Sequence, residues 1–221
     1  MTVECLLAMI TQLCKEPVAG KRVVEVGSQD VNGSIRPFVE ALQPKEYIGT
    51  DMAAGKGVDV VCDCGSLEEK FGAESFDLVI STSLLEHVRD WRSAVHNMKA
   101  VCRPGGTILV TTVSRGFQYH GYPYDFWRYA PDDLKEIFSD CEILALEPVN
   151  YHLVLIRARK PLQFSERSLD GYPLHSILAN RRVADFRPEF MSSLRFKKLI
   201  LGVKIQDRLS GAFRFIASRI S

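Results

Sequence analysis

The sequence predicts an α/β fold: one doubly wound, mostly parallel seven-stranded sheet, followed by a helical extension. Three observations carry this. Short apolar strands alternate with helical segments from residue 22 to residue 139, which calls for a parallel sheet covered on both faces. The first strand runs through a glycine turn, "VVEVGSQDVNGS", into a helix. The last two strands, "EILALEPV" and "HLVLIRARK", are joined by a short link, so they pair antiparallel and give the sheet an antiparallel edge.

Each element follows from its pattern. Val3, Leu6, Leu7, Ile10, Leu13 and Cys14 stand at helical spacing, so residues 3–14 form a leading helix. "RVVEVG" (22–27) is the first strand, and "SIRPFVEAL" (34–42) a helix that tolerates Pro37 in its first turn. "EYIGTD" (46–51) and "VDVVCD" (58–63) are the second and third strands, and "SLEEKFG" is a short helix. "FDLVIST" (76–82) is the fourth strand. "WRSAVHNMKAVC" (91–102) is a helix stopped by Pro104, Gly105 and Gly106. "TILVTTV" (107–113) is the fifth strand. "PDDLKEIFS" (131–139) is a helix with proline at its start and acids in its first turn. Beyond Lys160 the pattern weakens, and "SLDGYP" and Pro188 indicate an extended connector before a helical tail. The expected division is a binding domain over 1–160 and a connector with a basic tail over 161–221.

The 221 residues, 46% of them hydrophobic, suffice for one core with an appendage, and a net charge of +1 implies no particular partner. Charge is unevenly placed, however: residues 191–221 hold seven Lys/Arg and one Asp. The six cysteines include one close pair, Cys62 and Cys64, and no second pair at zinc-ligand spacing. Reduced thiols and a cytoplasmic location are expected. The start of the chain carries Glu4 and no basic segment, so no signal peptide is expected, nor any transmembrane run.

In such a sheet the ligand lies at the C-terminal ends of the strands. The turn there has Gly27 and Gly33 but lacks the glycines of a diphosphate cradle, and Asp30 would repel a diphosphate. Asp51, at the end of the second strand, suits two ribose hydroxyls, because a carboxylate accepts two hydrogen bonds. Ribose recognition without a phosphate cradle fits S-adenosylmethionine. The alternative is that Asp51 caps a turn and Glu25 pairs with a lysine.

The ordered set "VVEVGS", "YIGTDM", "VCDCGS", "FDLVISTSLLEHV" and "RPGGTILVT" resembles the class I S-adenosylmethionine-dependent methyltransferases, of the small-molecule, methyltransferase type 11-like subgroup. The likeness covers about residues 20–160 and implies a Rossmann-like fold. It implies that Glu25, Gly27 and Ser28 hold the amino-acid part of the cofactor and that Asp51 takes the ribose. Met52 would pack on adenine, Asp63 and the Cys64 backbone would meet its amino group, and Ser81 and Thr82 would close the methionine end. Glu86-His87 is similar to part of an E-x-x-E-H arrangement of metal-dependent relatives. Ser83 stands where its first acid would, so no metal is expected.

Methyl transfer needs a base only where the acceptor must lose a proton. The candidates are His87, His120 and Asp125. The last two lie in "FQYHGYPYDFWRY" (117–129), whose Tyr122, Tyr124, Trp127 and Arg128 suit a sugar-type acceptor: rings stack on apolar faces and Arg128 holds an anion. A rigid lid with a structural Asp125–Arg128 pair is the competing reading. In the tail, Ile205, Leu209, Ala212, Phe213, Ile216 and Ile220 share one helical face, which would pack on the domain, on a second copy, or on an anionic membrane. Nucleic acid is not an expected partner, since no binding motif accompanies the basic residues and no N/D-P-P-Y/F segment follows the fourth strand. The rival functions are a nicotinamide-dependent oxidoreductase and a non-catalytic binding module on the same fold.

Overall fold

The computed structural model describes residues 2–121 and 125–205. Seven strands form the main sheet: β1 (Arg22–Val26), β2 (Glu46–Asp51), β3 (Val60–Val61), β4 (Phe76–Thr82), β5 (Cys102–Val113), β7 (Glu142–Asn150) and β8 (Leu153–Arg159). The sixth strand in chain order, β6 (Trp127–Arg128), belongs to a second sheet. The main-sheet order is β3-β2-β1-β4-β5-β8-β7. The pairs from β3 to β5 are parallel, and β8 is antiparallel to both β5 and β7. The expected antiparallel edge is thus the β7–β8 hairpin, with β8 on its inner side.

Alternation along the strands builds the two faces. Val23, Leu78, Ile80, Leu109 and Leu155 pack with Met9 and Leu13 of α1 (Val3–Leu13) and with Val39 of α2 (Arg36–Ala41). Their chain neighbours Val24, Val79, Ile108, Val110, Val154 and Ile156 point the other way. They meet Leu67 of α3 (Leu67–Phe71), Trp91, Val95 and Met98 of α4 (Trp91–Val101), and Leu134 and Ile137 of α5 (Pro131–Ile137). Lys160 closes α4: its Nζ donates to the carbonyls of Lys99 and Cys102, satisfying oxygens that a helix end leaves unpaired.

Three elements differ from expectation. The third strand shrinks to two residues: Asp59, just ahead of it, is exposed and accepts from the Gly49 amide at 2.7 Å and from Arg36 at 2.5 Å. The second helix starts at Arg36, whose amide is held by Ser34 Oγ at 3.1 Å. The fifth strand begins at Cys102 and bridges its Pro-Gly-Gly with a register break opposite Phe76 and Leu78.

The expected connector is partly ordered as sheet. β9 (Leu174–Ser176) pairs with β10 (Arg181–Val183) and with β6, all antiparallel. Leu169, Leu174, Ile177, Leu178 and Phe196 join the core on the α4 face. Residues 194–205 form a helix, α6. The apolar face expected over 205–220 lies, beyond Ile205, outside the described residues. Among the described residues no helix is long and apolar enough to cross a membrane.

Candidate functional site

At the C-terminal ends of β1, β2 and β4 two adjoining cavities, of about 590 and 720 Å³, share Gly27, Asp51, Leu84, His87 and Gly121. Together they form one groove. Gly27 has φ +81°, and a Cβ on it would lie 3.0 Å from Leu84. Only glycine suits both that backbone and the close approach.

The unusual turn has a structural explanation. The amides of Gly27 and Ser28 both donate to the Thr50 carbonyl, at 2.8 and 2.9 Å. Ser28 is buried, and its hydroxyl donates to the Gly57 carbonyl at 2.8 Å. Asp30 accepts from the Gly33 amide at 2.9 Å and pairs with Lys56 at 2.6 Å, and these two contacts hold its carboxyl below the usual range. The residues that replace the diphosphate glycines therefore staple the turn to the loop after β2. Ser28 also lines the 590 Å³ cavity, but its hydroxyl is already engaged.

Glu25 is buried and lines the same cavity beside Thr82 and Asp51. Tyr47 donates to it. Burial pushes its carboxyl up to about 7, against the lowering pull of Arg36 and of a hydrogen bond with Thr82. A carboxyl in that state gains from a cation placed next to it, which suits the ammonium of an amino-acid moiety. Asp51, at the mouth of both cavities, accepts from the amides of Gln29 at 3.3 Å and Ala53 at 3.4 Å. Met52, Asp63 and Cys64 line the larger cavity with Ser66 and Phe126. Asp63 is fixed by the Gly65 amide at 2.7 Å. Burial raises the Cys64 thiol to about 12, so it stays protonated and unreactive. Ser81 is corrected: it is fully buried, and its hydroxyl donates to the Val26 carbonyl at 3.0 Å. Thr82 and Ser83 line the groove in its place.

The loop after β5 brings its histidine to the groove. His87 and His120 both line the smaller cavity, with ring centroids 4.8 Å apart. Asp125 Oδ2 lies 3.1 Å from His120 Nδ1 and also accepts from the His120 amide at 2.9 Å. Arg128 donates to both Asp125 oxygens, at 2.5 and 2.9 Å. Burial would raise the Asp125 carboxyl, but Arg128 and His120 outweigh it and hold it at about 2. Asp125 is therefore a fixed anion that orients His120, and not itself a proton acceptor. Two acceptor-binding expectations are corrected as well. Trp127 is buried in the core and donates from Nε1 to the Val88 carbonyl at 3.0 Å. Arg128 is closed on Asp125 and on the carbonyls of Phe117, Gln118 and Trp127. Both dihedral freedom and charge are used up within the loop, as the structural-pair reading has it. Tyr122 and Tyr124 lie outside the described residues.

Glu86 is a residue the sequence reading set aside. It is fully buried yet lines the groove; Oε2 accepts from Thr112 at 2.8 Å, and Oε1 has no hydrogen-bond partner among the described residues. Glu86, His87 and His120 each bring one donor atom within 4.8 Å of the others. That set could hold a divalent ion. The "EH" pair was visible in sequence; its third member comes from a distant loop and carried no spacing signal.

Comparison with known proteins settles the family. A family model described as a methyltransferase domain matches residues 4–145. This chain belongs to the methyltransferase domain family. Curated relatives named ubiquinone biosynthesis O-methyltransferase are 36% identical over 112 residues in Coxiella burnetii, covering 47% of this chain and 48% of the relative. The one from Ralstonia nicotianae is 33% identical over 120 residues, covering 45% and 46%. This methyltransferase-family chain thus matches about half the length of those curated relatives. Among solved structures, the Burkholderia thailandensis 1,6-didemethyltoxoflavin-N1-methyltransferase with bound S-adenosylhomocysteine gives a TM-score of 0.56 at 13% identity, covering 71% of this chain and 78% of that one. An S-adenosylmethionine-dependent methyltransferase from Mesorhizobium loti gives 0.54 at 16%, covering 70% and 96%. At those identities the likeness is one of fold. The family's cofactor is S-adenosylmethionine, and a groove with a buried carboxyl awaiting a cation and a strand-end carboxylate fits it.

Proposed function

We propose that this chain transfers a methyl group from S-adenosylmethionine to a hydroxyl oxygen of a small acceptor, glycan-type acceptors included. One observation carries the reading: His120, held from behind by buried Asp125, lines the same groove as Glu25 and Asp51. The relatives named as O-methyltransferases favour oxygen over nitrogen. When bound, S-adenosylmethionine supplies an electrophilic methyl on a good leaving group.

The residues divide the remaining work. Glu25 and Thr82 hold the amino-acid end, Asp51 the ribose, and Asp63 with Met52 the adenine end. Asp125 engages His120 Nδ1, which leaves Nε2 as the nitrogen to take a proton from the acceptor hydroxyl. Asp125 also stabilises the imidazolium that results. Positioning in the groove supplies much of the rate, and the base contributes roughly 10²–10⁴-fold.

The test is methyl transfer to a panel of hydroxylated acceptors by the wild type and His120→Asn. The variant should lose kcat by about that factor while binding S-adenosylhomocysteine as the wild type does. Full turnover in the variant would remove His120 from the mechanism. A second reading rests on the Glu86, His87 and His120 donor set: a divalent ion there would polarise the acceptor hydroxyl. Turnover abolished by a chelator and restored by the ion would favour it.

A further inference from the structure

A third cavity, of about 490 Å³, lies where the loop after β5, the second sheet and α6 meet, and shares Phe117 with the groove. Its charge is one-sided. Arg115, Arg128, Arg195 and Lys198 line it together with His175 and Asn180, and no carboxylate is among its described lining residues. Arg128 is neutralised by Asp125. The other three cations are not. Arg195 donates Nε to the Ile177 carbonyl at 2.9 Å and Nη2 to Asn180 Oδ1 at 2.9 Å, both neutral acceptors. The side chains of Arg115 and Lys198 have no ion pair or hydrogen bond among the described residues. The local field is felt by His175: its own burial, then Arg115, Arg128, Arg195 and Arg182, push its imidazole below the usual value.

We propose that this cavity binds the phosphate or diphosphate of the methyl acceptor. Three uncompensated cations around one concave site match a group with two or more negative charges; a single carboxylate would leave the excess largely in place. Arg195 is preorganised for it, because its two neutral partners fix the guanidinium and leave Nη1 unengaged. The link to chemistry is Phe117, which lines both this cavity and the groove and packs edge-on against His120 with ring centroids 4.8 Å apart. An acceptor anchored here by its phosphate would reach the His120 end of the groove past Phe117. The assignment of the anion to the acceptor rests on the methyltransferase reading above; the anion site itself does not.

The experiment is calorimetric titration of the full chain with inorganic pyrophosphate and, separately, with S-adenosylhomocysteine, repeated on Arg115→Ala/Lys198→Ala. Both side chains are exposed, so the double variant should keep its fold, checked by thermal unfolding. The expected result is pyrophosphate binding that weakens at least tenfold in the variant while S-adenosylhomocysteine binding is unchanged. No pyrophosphate binding by the wild type, or equal binding by the variant, would overturn the proposal. Loss of S-adenosylhomocysteine binding in the wild type would instead overturn the methyltransferase reading. Two further arms separate the sources of the phosphate: uridine diphosphate, and phosphatidylcholine vesicles with or without phosphatidic acid. Binding of uridine diphosphate alone supports a soluble phosphorylated acceptor. Retention on the phosphatidic acid vesicles, lost in the variant, supports a lipid-borne one.

Discussion

Glu25→Gln exposes the energetics of the groove. The wild-type carboxyl is 2% exposed and is pushed from 4.5 to about 7 by burial. Below pH 4.5 the folded and unfolded chains both hold the proton, and its burial costs little. Between pH 4.5 and 7 the unfolded chain releases it first, so the folded state loses stability as pH rises. By pH 8 the ionised group carries a penalty of about 3 kcal/mol. Glutamine keeps the shape and an oxygen that can accept from Tyr47, without the charge. The variant should therefore match the wild type near pH 4.5 and gain up to about 3 kcal/mol at pH 8, or roughly 6–12 °C in Tm for a chain of this size. Ligand binding moves the other way. Losing a charge-assisted bond to an ammonium costs about 1.5–3 kcal/mol, so affinity for S-adenosylhomocysteine at pH 8 should fall by about tenfold to a hundredfold. Wild-type affinity should itself weaken as pH drops below 7, where Glu25 takes up its proton. Thermal unfolding and calorimetry across pH 5–8 measure both. A variant whose stability parallels the wild type over that range, or which is less stable at pH 8, would refute the buried-carboxyl argument.

Other perturbations read single contacts. Gly27→Ala should cost about 1–2 kcal/mol for the left-handed backbone and weaken S-adenosylhomocysteine binding by displacing Leu84; denaturant unfolding and calorimetry report the two effects. Arg128→Met removes the guanidinium from buried Asp125 and leaves it only His120, so urea unfolding should show a loss of about 3 kcal/mol. Lys99→Met should act alike, because its Nζ is the buried partner of Asp140 at 2.7 Å; an unchanged midpoint for either would show that the pair is dispensable.

The strands were legible in the sequence because each is a short apolar run with residues packed on both faces. Val23 and Val24, for example, fall into opposite cores. The carboxylates at strand ends were legible for the same reason: once the strands were placed, Glu25, Asp51 and Asp63 followed. Side-chain fate was harder to read. Ser28 and Asp30 looked like ligand-turn residues, yet their contacts are with Gly57, Gly33 and Lys56. Arg128 and Trp127 had the chemistry of an acceptor pocket and turned inward, because a buried arginine needs the partner that Asp125 supplies. The second sheet was hidden altogether. Its strands are two or three residues long, too short to show a period, and two of them lie in a stretch whose prolines and glycine read as connector. The basic cavity escaped notice with it, since its residues come from three separated segments.

The central claim, that this groove takes an S-adenosyl ligand through Asp51 and Glu25, is tested most directly by one titration. The purified chain is titrated with S-adenosylhomocysteine and with NAD, and the series is repeated on Asp51→Ala. The account predicts binding of S-adenosylhomocysteine only, weakened at least tenfold in the variant, since two bonds to a charged acceptor are lost. Binding of NAD alone, of neither ligand, or of S-adenosylhomocysteine with equal affinity by Asp51→Ala would contradict it.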